Sequence, residues 1–258
     1  MTLDDRPAGD LLRSETRLNI LRCLRGRTAS KYDLREELDC SRSTVDRNLQ
    51  RLVESGWISN SRTEYALTTT GEVVLEAATE YLEAVETATR LRPILDHIPR
   101  AELDIDVRKL SDAAVAVPKP GKPLAAVDEH ARQVRAAGEL RMILPIYSPQ
   151  PFLAYYESAP VDQLSLEVVA PESVVEAMTS DPSMQAEMAE MRSAGTFDVY
   201  VTDSTVSFYL GILDETVQIG VNDDGSPVGL LTDDSEAVLE WAEDRFERFK
   251  SAASPLDC

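Results

Sequence analysis

Apolar residues recur at helical spacing through the first third of the chain and in short strand-like runs through the rest. Leu18, Leu21 and Leu24, with Ile20 and Cys23 beside them, predict a helix over about 14–26, with Ser14 as N-cap and Gly26 as its stop. Leu34 and Leu38 predict a second helix over about 30–38, capped by Ser30, and Asp39-Cys40 reads as a tight turn. A third helix opens at Ser41 and ends at Ser55-Gly56. Within it Val45, Leu49, Leu52 and Val53 form one apolar stripe. Advancing about 100° per residue puts Ser43, Thr44, Arg47 and Arg51 on the opposite face, with Asp46 and Asn48 flanking the stripe. Two short strands follow, Trp57-Ile58-Ser59 and Tyr65-Ala66-Leu67, around the polar tip Asn60-Ser61-Arg62-Thr63. Another helix starts over Thr68–Glu72 and continues to about 95. Val74, Ala78, Tyr81, Val85, Ala88 and Leu95 step along it by four and three, interrupted at Arg92, as in a coiled-coil seam. Pro93 marks a kink or stop near its end.

From about residue 110, β-rich runs alternate with helical ones. The runs are 113–117, 140–146, 164–170, 197–202, 206–213 and 216–221, and the helical patterns lie at about 123–137, 171–192 and 234–250. Residues 118–123 form a Pro- and Gly-rich loop. The predicted fold class is α+β. A winged helix-turn-helix covers 1–75, a linking or dimerisation helix 76–99, and a mixed α/β domain of sensor or effector type 100–258.

The outer face of the third helix has the chemistry of a DNA reader. Arg contacts guanine bidentately or a phosphate, Asn reads adenine, and Ser or Thr bonds either base or backbone. The candidate DNA-binding residues are Ser41, Arg42, Ser43, Thr44, Arg47, Asn48 and Arg51 on a recognition helix over about 41–55 in the major groove. Arg62 joins them on a wing over about 57–68. Asp46 either accepts from cytosine or limits phosphate binding. The alternative is a protein-interaction adaptor that uses a winged helix without sequence-specific DNA binding.

The total charge argues against this. The chain has 258 residues and a net charge of −20, and a uniformly acidic surface repels nucleic acid. The acid excess is local, however. Residues 1–75 hold 12 basic and 12 acidic side chains, whereas residues 76–258 hold 14 basic and 34 acidic. Only five of the 26 basic residues are Lys. Abundant carboxylates with few Lys fit a protein that stays hydrated in molar salt, so a halophile is expected. No apolar run approaches the ~20 residues of a membrane span. Met1-Thr2-Leu3-Asp4-Asp5 has no apolar signal region, and Cys23, Cys40 and Cys258 show no CxxC spacing. A cytoplasmic protein without disulfides or membrane attachment is expected.

No catalytic constellation stands out, so no enzyme, cofactor or metal is expected. Neither His97 nor His130 belongs to an HxH or HExxH pattern, and no P-loop, GxGxxG or GxSxG occurs. His130 reads as a solvated helix-face residue and His97 as a helix-end contact. Asp223-Asp224 belongs to a hairpin turn and Asp233-Asp234 to the cap of the last helix. If the second domain takes a ligand, Arg108, Arg141, Tyr147, Tyr155, Tyr156, Tyr200 and Tyr209 are candidates.

Two resemblances extend this reading. Ser41–Arg47 with Leu49, Leu52, Gly56-Trp57-Ile58 and Tyr65–Gly71 resembles the recognition helix and wing of archaeal winged-helix regulators, over about 11–80. Thr216–Val221, Asn222–Gly225, Pro227–Asp234, Ala237-Val238 and Glu240-Trp241-Ala242 are similar to the end of the C-terminal domain of methanogenesis-regulator-type archaeal transcription factors. Leu103-Asp104-Ile105 and Ser111-Asp112-Ala113 resemble the entry of that domain, and the match spans about 100–250. The resemblance implies a sensor or effector module rather than an enzyme. The expected partners are double-stranded DNA, a small-molecule effector and, through the 72–95 helix, a second copy of the chain.

Overall fold

The structure is a computed structural model that describes residues 7–182 and 184–256. The start Met1–Asp5 and Cys258 lie outside the described residues. The chain divides into two compact units, 1–85 and 86–258. That division falls inside one helix, whereas the sequence pattern sets apart a linking element over 76–99.

The first unit runs α1 (Pro7–Leu12), α2 (Glu15–Cys23), β1 (Ala29–Ser30), α3 (Lys31–Leu38), α4 (Arg42–Glu54), β2 (Ile58–Ser61), β3 (Glu64–Leu67) and α5 (Thr69–Arg90). Each of the three inner helices starts on a serine cap. Ser14 accepts from the Arg17 amide, Ser30 and Asp33 form a reciprocal capping box, and Ser41 accepts from the Thr44 amide. Ile20, Leu21, Leu24, Leu34, Val45, Leu49, Leu52, Trp57, Ile58 and Leu75 fill one core. Val53, expected in the stripe, is instead 39% exposed. It lies eight residues past Val45, which rotates it about 80° off the stripe. The strands β1-β3-β2 form a three-stranded antiparallel sheet, the winged helix-turn-helix arrangement. α1 and β1 escape sequence reading because six and two residues are too short to show a period.

Gly71 permits the tight join between wing and α5. A Cβ there would lie 1.9 Å from the Trp57 carbonyl oxygen, which accepts the Thr68 amide at 3.0 Å. The predicted helix to 95 is broken at Leu91, and α6 (Arg92–Leu95) restarts with Pro93 in its first turn. Proline lacks the amide needed to continue the α5 ladder. The predicted seam is not continuous either: Ala78 is buried in the first core, while Tyr81 and Val85 are exposed.

The second unit continues through α6, β4 (Ala114–Ala116), α7 (Ala125–Val134), β5 (Glu139–Ile143), α8 (Pro149–Tyr156), β6 (Ser165–Pro171), α9 (Glu172–Thr179) and α10 (Gln185–Ala194). It then runs through β7 (Phe197–Thr202), β8 (Tyr209–Leu213), β9 (Thr216–Asp223), β10 (Ser226–Asp233), α11 (Glu236–Ser251) and β11 (Ser254–Pro255). The strands form one mixed sheet in the order β11-β7-β6-β5-β8-β9-β10-β4. Only β5-β6 and β6-β7 pair in parallel, through helical crossovers, and the remaining pairs are antiparallel. Residues of α7, α8, α9 and α10 pack on one face, and residues of α6 and α11 on the other.

Two elements differ from the sequence pattern. The helical run 171–192 is two helices, parted at a segment containing Pro182. Strand β10 was not among the predicted runs, because Pro227 and Gly229 lower its strand character. The expected turn before it is a two-residue loop, Asp224-Gly225, with φ of 45° and 77° as the tightest hairpins require.

Candidate nucleic-acid interface and internal cavity

Helical phase and the buried stripe together fix what α4 shows to solvent. Ser43, Arg47 and Arg51 succeed one another four residues apart and are all exposed. The Arg47 guanidinium has no hydrogen-bond or ion-pair partner among the described residues. Ser41 and Thr44 hold the helix start: their hydroxyls lie 2.8 Å apart, and the Ser41 oxygen accepts the Thr44 amide at 3.2 Å. The side chain of Arg42 is 85% exposed and stands 3.8 Å from the Asp46 carboxylate.

Asn48 does not belong with these residues. It is 4% exposed, its Oδ1 accepts from Arg17 Nε at 3.1 Å, and its Nδ2 donates to the Thr44 carbonyl at 2.9 Å. Its amide is spent joining α2 to α4, so the expectation that it reads adenine is corrected. Asp46 pairs with α3. Lys31 Nζ is 2.7 Å from it, and that hydrogen bond holds the carboxyl below its ordinary value. Sequence reasoning missed the α3 side of this surface, where Lys31, Tyr32 and Arg35 line a groove with Arg42, Val45 and Asp46. The available signal was a pair of cations one helical turn apart beside an aromatic, and Tyr32 is 67% exposed.

The wing pairs Ile58 with Leu67 and Ser61 with Glu64, leaving the two-residue tip Arg62-Thr63. Arg62 occupies the left-handed region at φ 61°, a strained setting for a side chain with a Cβ. It is exposed at the tip.

The second unit contains a largely apolar cavity of about 330 Å³ beneath α7 and the loop after β5. Met142, Leu144, Phe152, Val168, Met178 and Leu230 supply much of its wall. Of the ligand candidates from sequence, Tyr147 and Tyr209 line it and the other five do not. Arg108 pairs with Asp106 at 2.7 Å, and Arg141 with Glu243 at 2.9 Å. Tyr155 is buried against the Gly138 carbonyl at 2.6 Å, Tyr156 bonds Glu190 at 2.7 Å, and the Tyr200 ring lies 5.1 Å under the Lys250 ammonium. Periodicity cannot separate these roles, since each depends on a partner distant in sequence.

Tyr209 lies along β8 above Gly211. A Cβ on Gly211 would come within 2.0 Å of the phenol oxygen, and one on Gly220 within 3.0 Å of the ring. That oxygen is buried without a partner among the described residues, and burial pushes its pKa up. His130 stands edge-on to the Tyr209 ring, centroids 5.1 Å apart. The expectation of a solvated His130 is corrected: it lines the cavity, and burial lowers its pKa despite the opposing hydrogen bond with Gln218. Among the described residues no group of three or more His, Cys, Asp or Glu is arranged to hold a metal ion, and no helix is long and apolar enough to cross a membrane.

Comparisons with known proteins follow the division of the chain. Residues 6–90 match the family profile described as the HVO_A0261 N-terminal domain, and residues 123–252 match the middle domain of the methanogenesis regulatory protein FilR1. No curated protein matches the chain. TrmBL2, an archaeal chromatin protein with a novel mode of DNA binding, is similar at 14% identity over 96% of this chain and 98% of its own, with a TM-score of 0.43. Nuc, a phospholipase D family member from Salmonella typhimurium, is 11% identical over 57% of this chain and 99% of its own, with a TM-score of 0.43. A putative transcriptional regulator from Rhodococcus sp. RHA1 is 13% identical over 93% and 96%, with a TM-score of 0.28. The match over 123–252 takes in half of the chain, and the protein belongs to the family defined by the middle domain of the methanogenesis regulatory protein FilR1.

Proposed function

We propose that this protein is a DNA-binding transcriptional regulator, with α4 entering the major groove and the wing reaching the backbone or minor groove. The observation that carries the reading is the exposed row Ser43, Arg47 and Arg51 on a capped helix. Arg62 at the wing tip supports it. Charge is compatible with it: the first 75 residues are neutral overall, and Arg42, Arg47 and Arg51 are gathered on one helix. The second unit senses a small molecule in its apolar cavity. The protein works as a homodimer, a role for which α5 offers the exposed Tyr81 and Val73. It acts by binding rather than catalysis, in the cytoplasm of a salt-accumulating archaeon.

The test is DNA occupancy across the source genome, followed by anisotropy on the recovered fragments. Replacing Arg47→Ala together with Arg51→Ala should weaken specific binding by about thirtyfold or more, since each good base contact is worth about 1–3 kcal/mol. Unchanged binding by the double variant would overturn the placement of α4.

A further inference from the structure

The composition of the cavity wall is unlike that of the domain around it. Residues 76–258 carry 34 carboxylates, yet none of the described residues lining the cavity is Asp or Glu. One lining side chain is permanently charged, that of Arg135, which follows the last turn of α7. It is exposed, which places it at the mouth rather than in the interior. Its guanidinium has no ion-pair or hydrogen-bond partner among the described residues, although the neighbouring Arg132 is paired with Glu129. The interior behind it is aliphatic, aromatic and thioether surface.

We propose that the cavity binds an amphiphilic monocarboxylate, with its apolar body among Met142, Phe152, Val168 and Met178 and its carboxylate on Arg135. The inference rests on reading the cavity as an effector site and adds the chemical class. A cationic ligand finds no carboxylate there to meet it. A neutral apolar ligand leaves the guanidinium unused. A carboxylate matches the guanidinium fork in two parallel hydrogen bonds. About 330 Å³ equals the liquid volume of about eleven waters at about 30 Å³ each, room enough for a ligand of at least ten non-hydrogen atoms. That is the size of a medium-chain or arylalkanoic acid. A single exposed guanidinium is screened in concentrated salt, so apolar burial has to add to it and both parts of the ligand are required.

The experiment titrates the full chain with octanoate, octan-1-ol and octylammonium, in the potassium chloride concentration that keeps its circular dichroism native. Binding is followed by the methyl resonances of Met142 and Met178. Octanoate should bind about tenfold more tightly than octan-1-ol and shift both methyls. Arg135→Gln should bring the two probes within about twofold. Ala131→Trp, which fills the mouth from α7, should abolish octanoate binding, and Arg135→Gln alone decides the class if that variant does not fold. Equal or tighter binding of octan-1-ol or octylammonium, with both methyls shifted, overturns the carboxylate assignment while leaving an effector cavity in place. If none of the three probes shifts either methyl, the carboxylate assignment and the effector cavity both fall.

Discussion

His130 donates from Nδ1 to the side-chain oxygen of Gln218 at 2.7 Å, across 88 residues of sequence. The direction of this bond is set at a distance. The Glu129 carboxylate only accepts, so Gln133 presents its amide nitrogen to it at 2.6 Å. Gln133 then offers its oxygen to Gln218 Nε2 at 2.7 Å, which turns the Gln218 oxygen toward His130. In the neutral ring the proton therefore sits on Nδ1 and the lone pair on Nε2.

Burial holds the His130 pKa below its ordinary value of 6.5. In the unfolded chain His130 protonates as pH falls through about 6.5, while in the fold it stays neutral until lower pH. Stability is thus fully present above pH 6.5 and falls below it, down to the folded-state pKa. Urea midpoints of wild type and His130→Gln, compared from pH 7.5 to 5 at constant salt, should show a pH-dependent loss in the wild type that the variant lacks. Parallel curves would count against it.

Asn48 and Arg47 are neighbours with opposite duties. Asn48→Ala leaves the buried Arg17 guanidinium short of an acceptor and should cost about 1–3 kcal/mol of stability. Once folded, that variant should bind DNA normally. Arg47→Ala should leave the melting temperature within about a degree and reduce DNA affinity. Thermal melts and anisotropy on both variants check the crossover, and a DNA defect in a fully folded Asn48→Ala would restore a reading role to that residue.

The wing tip separates strain from charge. Arg62→Gly relieves the left-handed backbone and should raise stability by about 0.5–1 kcal/mol. The same change removes one cation, so DNA affinity should fall and the slope of log affinity against log salt should shrink by about 1. Chemical denaturation and salt-series anisotropy measure the two effects independently.

Gly71→Ala drives a methyl into the Trp57 carbonyl. The expected cost is about 1–3 kcal/mol. Because Trp57 and Gly71 both belong to the first unit, calorimetry should show the loss in that unit's transition and leave the second unchanged.

Helix α4 and its exposed face were legible because phase alone decides them. Once Val45, Leu49 and Leu52 face inward, Ser43, Arg47 and Arg51 must face outward. Asn48 and Val53 sit at the two margins of that stripe, where phase is ambiguous and the packing partner decides. Arg17 on α2 draws Asn48 in, and nothing in α4 itself announces it. The cavity was illegible for a stronger reason. Its wall gathers α7, the segment after β5, and β9 and β10, and His130 looks solvated beside Asp128 and Glu129 until Gln218 is known to face it. The mixed sheet was legible as alternating runs, and its order was not, because strand pairing lies between runs rather than within them.

The eight-stranded sheet ends on strands of two and three residues, Ser254–Pro255 on one side and Ala114–Ala116 on the other. Pro255 has no amide to offer a further strand. A long bare edge would recruit neighbouring chains into ribbons. Here the terminal strands themselves offer almost no template at either margin. Association between copies, if it occurs, would fall to side-chain surfaces such as those of the helices, which choose a partner in a way that main-chain pairing does not.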